Sequence, residues 1–296
     1  MKPKIAVWAA QIRAPFLLLA VALVLIGGAL AHEYGQFGFL LFFLCLAGTV
    51  LAHASVNLFN ELSDFRTGID SITRRTPFSG GSGNLQAGLT SEWGVRIAAW
   101  CTLALAGAIG LYLAWRSGWI LLVFILVGGL TTVFYTSRLA KFAMGELFAG
   151  MCLGSMVVVG TFIAMTGELN TTVLLASVPP GILTSLLLFL NEFPDLQADS
   201  SGGRRHLLIV LGRSVSARVY TVSLGVCYGF IVWGVASGVF PVPMLITLLT
   251  LPLAFKAAVI TLKHHDDFEK MIAAQGANVG LVLGIDFLMA IAYFIH

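Results

Sequence analysis

Two stretches of this chain concentrate side chains that could do chemistry. The first is Asn57-Leu-Phe-Asn-Glu-Leu-Ser-Asp-Phe-Arg-Thr-Gly-Ile-Asp70, in which amides and carboxylates follow a long uncharged run. On a helix, Asn57, Asn60, Glu61 and Asp64 fit the i, i+3, i+4, i+7 spacing and share one face. Such a face of oxygen donors suits a hard cation such as Mg2+, although a hydrated helix end turning into a polar loop carries the same residues. The second stretch is Asn191-Glu-Phe-Pro-Asp-Leu-Gln-Ala-Asp-Ser-Ser-Gly-Gly-Arg-Arg-His206, in which Asn191, Asp195 and Asp199 recur every four residues. Pro194 has no backbone N–H, so a kink or a restart of the helix is expected there.

Carboxylates repel a phosphate unless a metal ion bridges the two. Mg2+ commonly joins one or two carboxylates to substrate phosphate oxygens, and arginines add charge-assisted contacts to the same oxygens. Two acidic segments, each trailed by arginines, therefore predict a diphosphate held through Mg2+ between two helix ends. The competing reading is a pair of capped, hydrated helix ends whose arginines serve topology alone.

The elements that must position these segments lie in a membrane. Of the 296 residues, 58% are hydrophobic and only 10% charged, with a mean hydropathy of +0.93; soluble domains carry roughly a quarter charged residues. Uncharged runs long enough to cross a bilayer, which takes about 20 residues, recur along the whole chain. They predict an all-α, polytopic membrane bundle of nine spans forming a single domain over residues 1–296. The spans fall near 14–31, 38–58, 97–115, 118–136, 147–167, 171–191, 216–237, 242–262 and 277–295. No secretory leader is expected, because further spans follow the first apolar run. With the N-terminus in the cytoplasm, only Arg116 of the 17 Lys and Arg falls on the outer side, as the positive-inside rule requires. The basic residues are thus explained by topology, and no nucleic-acid partner is expected. This topology puts both acidic stretches on the cytoplasmic face of an inner membrane.

Cys45, Cys101, Cys152 and Cys227 are widely spaced in apolar runs and read as packing residues. His53, one turn before Asn57, reads as a hydrogen-bonded interior residue. Asp286 falls mid-span, where an ionisable group is costly, and Lys256 could pair with it or snorkel to the interface. The Ser71–Thr90 segment, with its Ser79-Gly-Gly-Ser-Gly83 run, could meet phosphate through backbone N–H groups, act as a lid, or merely connect.

Taken together, the motifs resemble those of the UbiA superfamily of intramembrane prenyltransferases. Asn60-Glu61-Leu-Ser-Asp64 followed by Gly68-Ile-Asp70 is similar to that family's Asn-Asp-x-x-Asp motif, with Glu61 standing where Asp is usual. Asn57 matches an asparagine one turn earlier. Asp195 and Asp199 match the second Asp-x-x-x-Asp motif, and Arg204-Arg205-His206-Leu-Leu resembles its Gly-Lys-x-Thr-Leu segment. Phe134-Tyr135-Thr136, with Arg138, Lys141 and Gly145-Glu146, resembles the Tyr-Thr loop after the fourth span. Gly-x-Asp70 and Asn191-Glu-Phe-Pro-Asp195 look most like the naphthoate-type enzymes of menaquinone synthesis.

The resemblance implies Mg2+-dependent transfer of a prenyl chain from a polyprenyl diphosphate to an aromatic acceptor within the lipid bilayer. It implies metal ligation by Asn60, Glu61, Asp64, Asp70, Asp195 and Asp199, with Asn60, Asp64, Asp195, Asp199 and Tyr135 in catalysis. Substrate contacts would come from Asn57, Arg66, Arg74, Arg75, Arg138, Lys141, Asn191, Arg204 and Arg205. Phe59, Phe134 and Tyr135 lie at a depth where an aromatic face could stabilise a cation. Other acceptors (4-hydroxybenzoate, homogentisate, a haem or chlorin, a glycerol-phosphate lipid) remain open. So does a cation-coupled transporter, although such proteins place ion sites near the midplane.

Overall fold

A computed structural model describes residues 3–134 and 142–296, and every regular element among them is helical. A short amphipathic helix α1 (Lys4–Gln11) leads into α2 (Ala14–Glu33), α3 (Phe39–Thr67) and the one-turn α4 (Ile69–Ile72). Next come α5 (Glu92–Ser117), α6 (Ile120–Phe134), α7 (Gly145–Thr166) and α8 (Thr171–Ser201). The one-turn α9 (Leu207–Leu211) precedes α10 (Arg213–Ala236), α11 (Val242–His264) and α12 (Phe268–Phe294). Eight of these helices are long and apolar enough to cross a bilayer, and α6 is a shorter apolar helix of 15 residues.

Helix ends fall where local chemistry puts them. Ser91, Asn170 and Asp267 cap α5, α8 and α12 by accepting the backbone N–H three residues on, which satisfies an otherwise orphaned donor. Gly68 ends α3 in the left-handed region at φ 77°, a conformation glycine adopts without steric cost.

The centre of the bundle is α2, α8 and α12. α2 packs on α12 and α7, and α8 packs on α7, α10 and α12; their side chains dominate one large apolar core. By contrast α5 and α6 leave Trp100, Leu105, Leu111, Trp115 and Leu126 exposed, the surface expected of helices that face hydrocarbon. The α7–α8 seam is unusually close. A Cβ on Gly154 would stand 2.7 Å from the Gly181 Cα, so only glycines permit this approach. The backbone of α7 widens into a π-turn over Ala149–Ser155, and Ser155 and Ser185 donate across the seam to the Ser177 and Glu146 carbonyls at 2.9 and 2.8 Å.

Two expectations are narrowed by the structure. α8 runs continuously through Pro194 because the turns on either side keep their ladder, so no break occurs at the second acidic stretch. Asp286 is fully buried on α12, and among the described residues neither of its carboxylate oxygens has a hydrogen-bond partner, while Lys256 lies on the exposed side of α11. The two therefore do not pair, and Lys256 snorkels outward. The cysteines are free, as expected of packing residues.

Candidate active site

α3 has 29 residues, or about 43 Å at 1.5 Å per residue, more than the ~30 Å hydrocarbon core requires. Its last turns, which carry the first acidic stretch, therefore stand beyond the apolar part of the bundle. The last turns of α8 stand beside them. Between these ends, α4 and the glycine-rich loop lies a cavity of about 600 Å3, within the usual range for small-molecule sites. Its deep wall is apolar, with Leu44, Ile109, Phe124, Met156 and Leu187; its mouth is polar, with Arg13, Asn60, Asp64, Asp195, Asp199 and Arg204.

One guanidinium joins the two acidic stretches. Arg204 pairs with Asp64 of α3 and, at 2.7 Å, with Asp199 Oδ1 of α8. Both carboxylates are buried, and bringing them together without a cation would be costly. His206 Nε2 lies 3.2 Å from the other Asp199 oxygen. Asp195 accepts a hydrogen bond from Ser79 Oγ at 3.3 Å, and Asp70 accepts one from Gln86 Nε2 at 3.0 Å. Burial, with the charge of Asp64 added, pushes the Asp70 carboxyl up to about 6.

The loop after α4 is part of this wall, not a slack connector. Ser82 donates through its N–H and its hydroxyl to Glu61 at 2.7 and 2.6 Å, and Asn84 Nδ2 donates to the Val7 carbonyl at 2.9 Å. Arg75 Nε donates to the Gly80 carbonyl at 3.2 Å. Gly81 adopts φ 67°, and a Cβ there would stand 2.8 Å from Asp70 Oδ1. Only glycine both accepts that backbone and leaves room for the carboxylate.

Of the residues singled out from sequence, Asn57, Asn60, Asp64, Asp70, Asn191, Asp195, Asp199 and Arg204 line the cavity. Glu61 does not: its oxygens accept from Gln11 Nε2 at 3.0 Å and from Ser82, and it ties α1 and the loop to α3. Arg66 and Arg74 also stand away, paired with Glu92 and Glu269, each at 2.5 Å on the surface. Arg205 is exposed, and Arg75 buttresses the loop. Phe59 packs against Trp100 instead of the cavity, and Phe134 is half exposed. His53 lines the cavity with its Nδ1 unpartnered, not hydrogen-bonded as expected. Tyr135, Arg138 and Lys141 lie outside the described residues.

Sequence reasoning missed Arg13, Glu146, Glu192 and His206. Arg13 was absorbed into the count of positive-inside charges, yet it lines the cavity mouth from a left-handed turn at φ 52°. Glu192 and His206 sit inside the second stretch itself and are buried at the cavity wall.

The site's donor set is one of oxygens: carboxylates from two helices, Asn60, and the buried Asn191 Oδ1, which accepts no hydrogen bond among the described residues. Such a set fits a hard divalent ion. The sequence profile of the UbiA prenyltransferase family matches residues 18–279. A 1,4-dihydroxy-2-naphthoate octaprenyltransferase of Bacillus subtilis is 29% identical over 92% of this chain and 88% of its own length. A 2-carboxy-1,4-naphthoquinone phytyltransferase of Synechocystis is 26% identical over 97% and 92%. The fold superposes on a UbiA homolog from Archaeoglobus fulgidus bound to GPP and Mg2+, with a TM-score of 0.61, 13% identity and coverage of 96% and 99%. The acidic mouth above an apolar cavity is accordingly that of a membrane-embedded prenyltransferase, and the chain belongs to the UbiA prenyltransferase family.

Proposed function

We propose that this prenyltransferase moves a polyprenyl chain from its diphosphate to 1,4-dihydroxy-2-naphthoate, the prenylation step of menaquinone biosynthesis, on the cytoplasmic side of an inner membrane. The observation that carries the diphosphate reading is the meeting of Asp64, Asp199 and Arg204 at the polar mouth of an apolar cavity. The acceptor reading is supported by the naphthoate enzymes among the relatives and by the quoted sequence motifs. A cation-coupled transporter is set aside by membership of an enzyme family.

Asp64, Asp195, Asp199, Asp70 and Asn60 are the residues that would hold Mg2+. When bound there, Mg2+ would supply positive charge that stabilises the diphosphate as a leaving group. Arg13 and Arg204, both at the mouth, contact diphosphate oxygens and favour the charge that develops as the prenyl C1–O bond breaks. The electron pair of that bond leaves with the diphosphate. The prenyl chain lies in the apolar cavity, where Leu44, Ile109 and Leu187 exclude water from the electron-deficient C1. Phe78 and Phe148 also line the cavity and present aromatic faces to the allylic cation. The ring carbon that bears the carboxylate donates the pair that forms the new C–C bond, and that same carbon then loses the carboxylate as CO2, whose bonding pair returns to the ring and restores aromaticity.

The test is turnover by purified protein with Mg2+, several prenyl diphosphates and a panel of aromatic acceptors. The expected result is prenylated product and equimolar diphosphate with the naphthoate. Asp64→Asn and Asp195→Asn are expected to lower kcat by about 100-fold or more, the scale of losing one charge-stabilising group, in protein that remains folded. Product only with another acceptor would move the acceptor assignment, and full turnover in both variants would overturn the two-cluster site.

A further inference from the structure

Beside the diphosphate mouth lies a second cluster that the reaction above does not use. Glu146 at the start of α7, Glu192 on α8 and His206 just before α9 each offer one ligand atom, and those atoms lie within 4.8 Å of one another. All three residues are buried. Glu146 Oε1 accepts the Leu207 N–H at 2.7 Å, which leaves Oε2 facing only the Glu192 carboxyl among the described residues. Glu192 Oε2 and His206 Nδ1 face each other at 3.3 Å, the Glu192 carboxyl also faces that of Glu146, and among the described residues neither atom has a partner outside the cluster. Three ligand atoms that find only one another in a buried space are rare in folded proteins, where buried polar groups are almost always well partnered.

Two features point to what would satisfy them. First, two facing carboxylates in a buried site need compensating charge, and a divalent cation with two carboxylates and a neutral imidazole makes a neutral assembly. Second, the imidazole is held as metal-bound histidines usually are. Its Nδ1 points into the cluster, while its Nε2 lies 3.2 Å from the Asp199 carboxylate, the outer partner that fixes tautomer and ring orientation. One nitrogen and two carboxylate oxygens favour a borderline ion over Mg2+, which prefers oxygen alone. The all-oxygen mouth and this mixed cluster therefore select different cations.

We propose that Glu146, Glu192 and His206 bind a transition-metal cation of the Zn2+ class, at a site distinct from the diphosphate mouth and linked to it by the His206–Asp199 hydrogen bond. The ion would fasten α7, α8 and the segment entering α9 behind the second acidic stretch.

The probe is Zn2+ itself. Full-length protein, carried on a tag without histidines and stripped with a chelator, is dialysed against micromolar Zn2+ in millimolar Mg2+ without prenyl diphosphate. Bound metal is then counted by mass spectrometry and thermal unfolding is recorded. The expected result is about one Zn2+ per chain that excess Mg2+ does not displace, with a raised Tm. Glu146→Gln and His206→Gln should weaken Zn2+ binding by at least about tenfold, the least expected even for an outer-partner change, and lose the Tm response. Asp64→Asn should keep both. Zn2+ uptake equal in wild type and Glu146→Gln, or lost in Asp64→Asn alone, would overturn the proposal. If neither cluster variant can be purified, the wild-type competition decides, and displacement of Zn2+ by millimolar Mg2+ would overturn it. Because no prenyl diphosphate is present, failure here leaves the diphosphate reading intact.

Discussion

Arg204→Gln is the most informative single change, because it removes the cation between the two acidic helix ends while leaving both carboxylates. The Arg204 side chain is 21% exposed, against 8% for Asp64 and 3% for Asp199, so the pairs are mostly shielded from solvent. Removing one partner of a buried ion pair costs about 3–5 kcal/mol; the partial exposure of Arg204 argues for the lower end, about 3 kcal/mol. At roughly 2–4 °C per kcal/mol for a chain of this size, that is a Tm loss of about 6–12 °C. The assay is thermal unfolding in detergent at one fixed scan rate, since such unfolding is commonly irreversible. It is run once in chelator and once in excess Mg2+. A ligand that binds the folded state stabilises it in proportion to the logarithm of its occupancy, and the carboxylates bind Mg2+ more tightly when no guanidinium competes. The gap between wild type and variant should therefore shrink by at least half in Mg2+. An equal gap in both conditions, or none in chelator, would refute the claim that Arg204 and the metal answer the same pair of charges.

Three further outcomes are expected. Gly81→Ala would force a Cβ to 2.8 Å from Asp70 Oδ1 at φ 67°; strain of about 1–3 kcal/mol should appear as lower Tm and a raised KM for the prenyl diphosphate, and an unchanged KM would refute the loop's place in the site. Asp70 has its carboxyl raised to about 6 in the fold, so its contribution to the metal-free protein's stability is fully present below its unfolded pKa near 4 and lost as pH rises through 6. Mg2+ binding needs the ionised form and should run the opposite way, weakening as pH falls through 6; calorimetric titration checks this, and an affinity flat between pH 5 and 7.5 counts against Asp70 as a ligand. Glu61→Ala should unfold easily, since three donors lose their acceptor at about 1–3 kcal/mol each, while the fraction that stays folded keeps more turnover than Asp64→Asn does. Turnover loss equal to that of Asp64→Asn would make Glu61 a site residue after all.

The helix faces were readable because 3.6 residues per turn set side-chain directions before any packing is known. The same arithmetic sets Glu61 apart. At about 100° per residue, Asn57, Asn60 and Asp64 fall within about 60° of arc, whereas Glu61 stands about 100° from Asn60, on the flank that meets α1. The arginines were legible as to membrane side only. Charge counting places Arg66, Arg74 and Arg204 on one side alike, but whether each meets Glu92, Glu269 or the two aspartates is decided by tertiary approach. The Glu146–Glu192–His206 cluster needed the glycine seam between α7 and α8, a contact with no local sequence period. The continuity of α8 through Pro194 was likewise outside reach of propensity, which records the lost hydrogen bond and not the support of neighbouring turns.

The Arg204–Asp64 pair spans 140 residues of chain, and that separation becomes a delay during synthesis. At roughly 5–20 residues per second, the ribosome makes Asp64 some 7–28 seconds before Arg204 exists. Throughout that interval the first acidic stretch must stay in water or borrow a passing cation, so the early helices cannot close over it. The cavity mouth thus cannot seal before Arg204 has been made, and the nascent protein has a built-in order of assembly: span first, neutralise later.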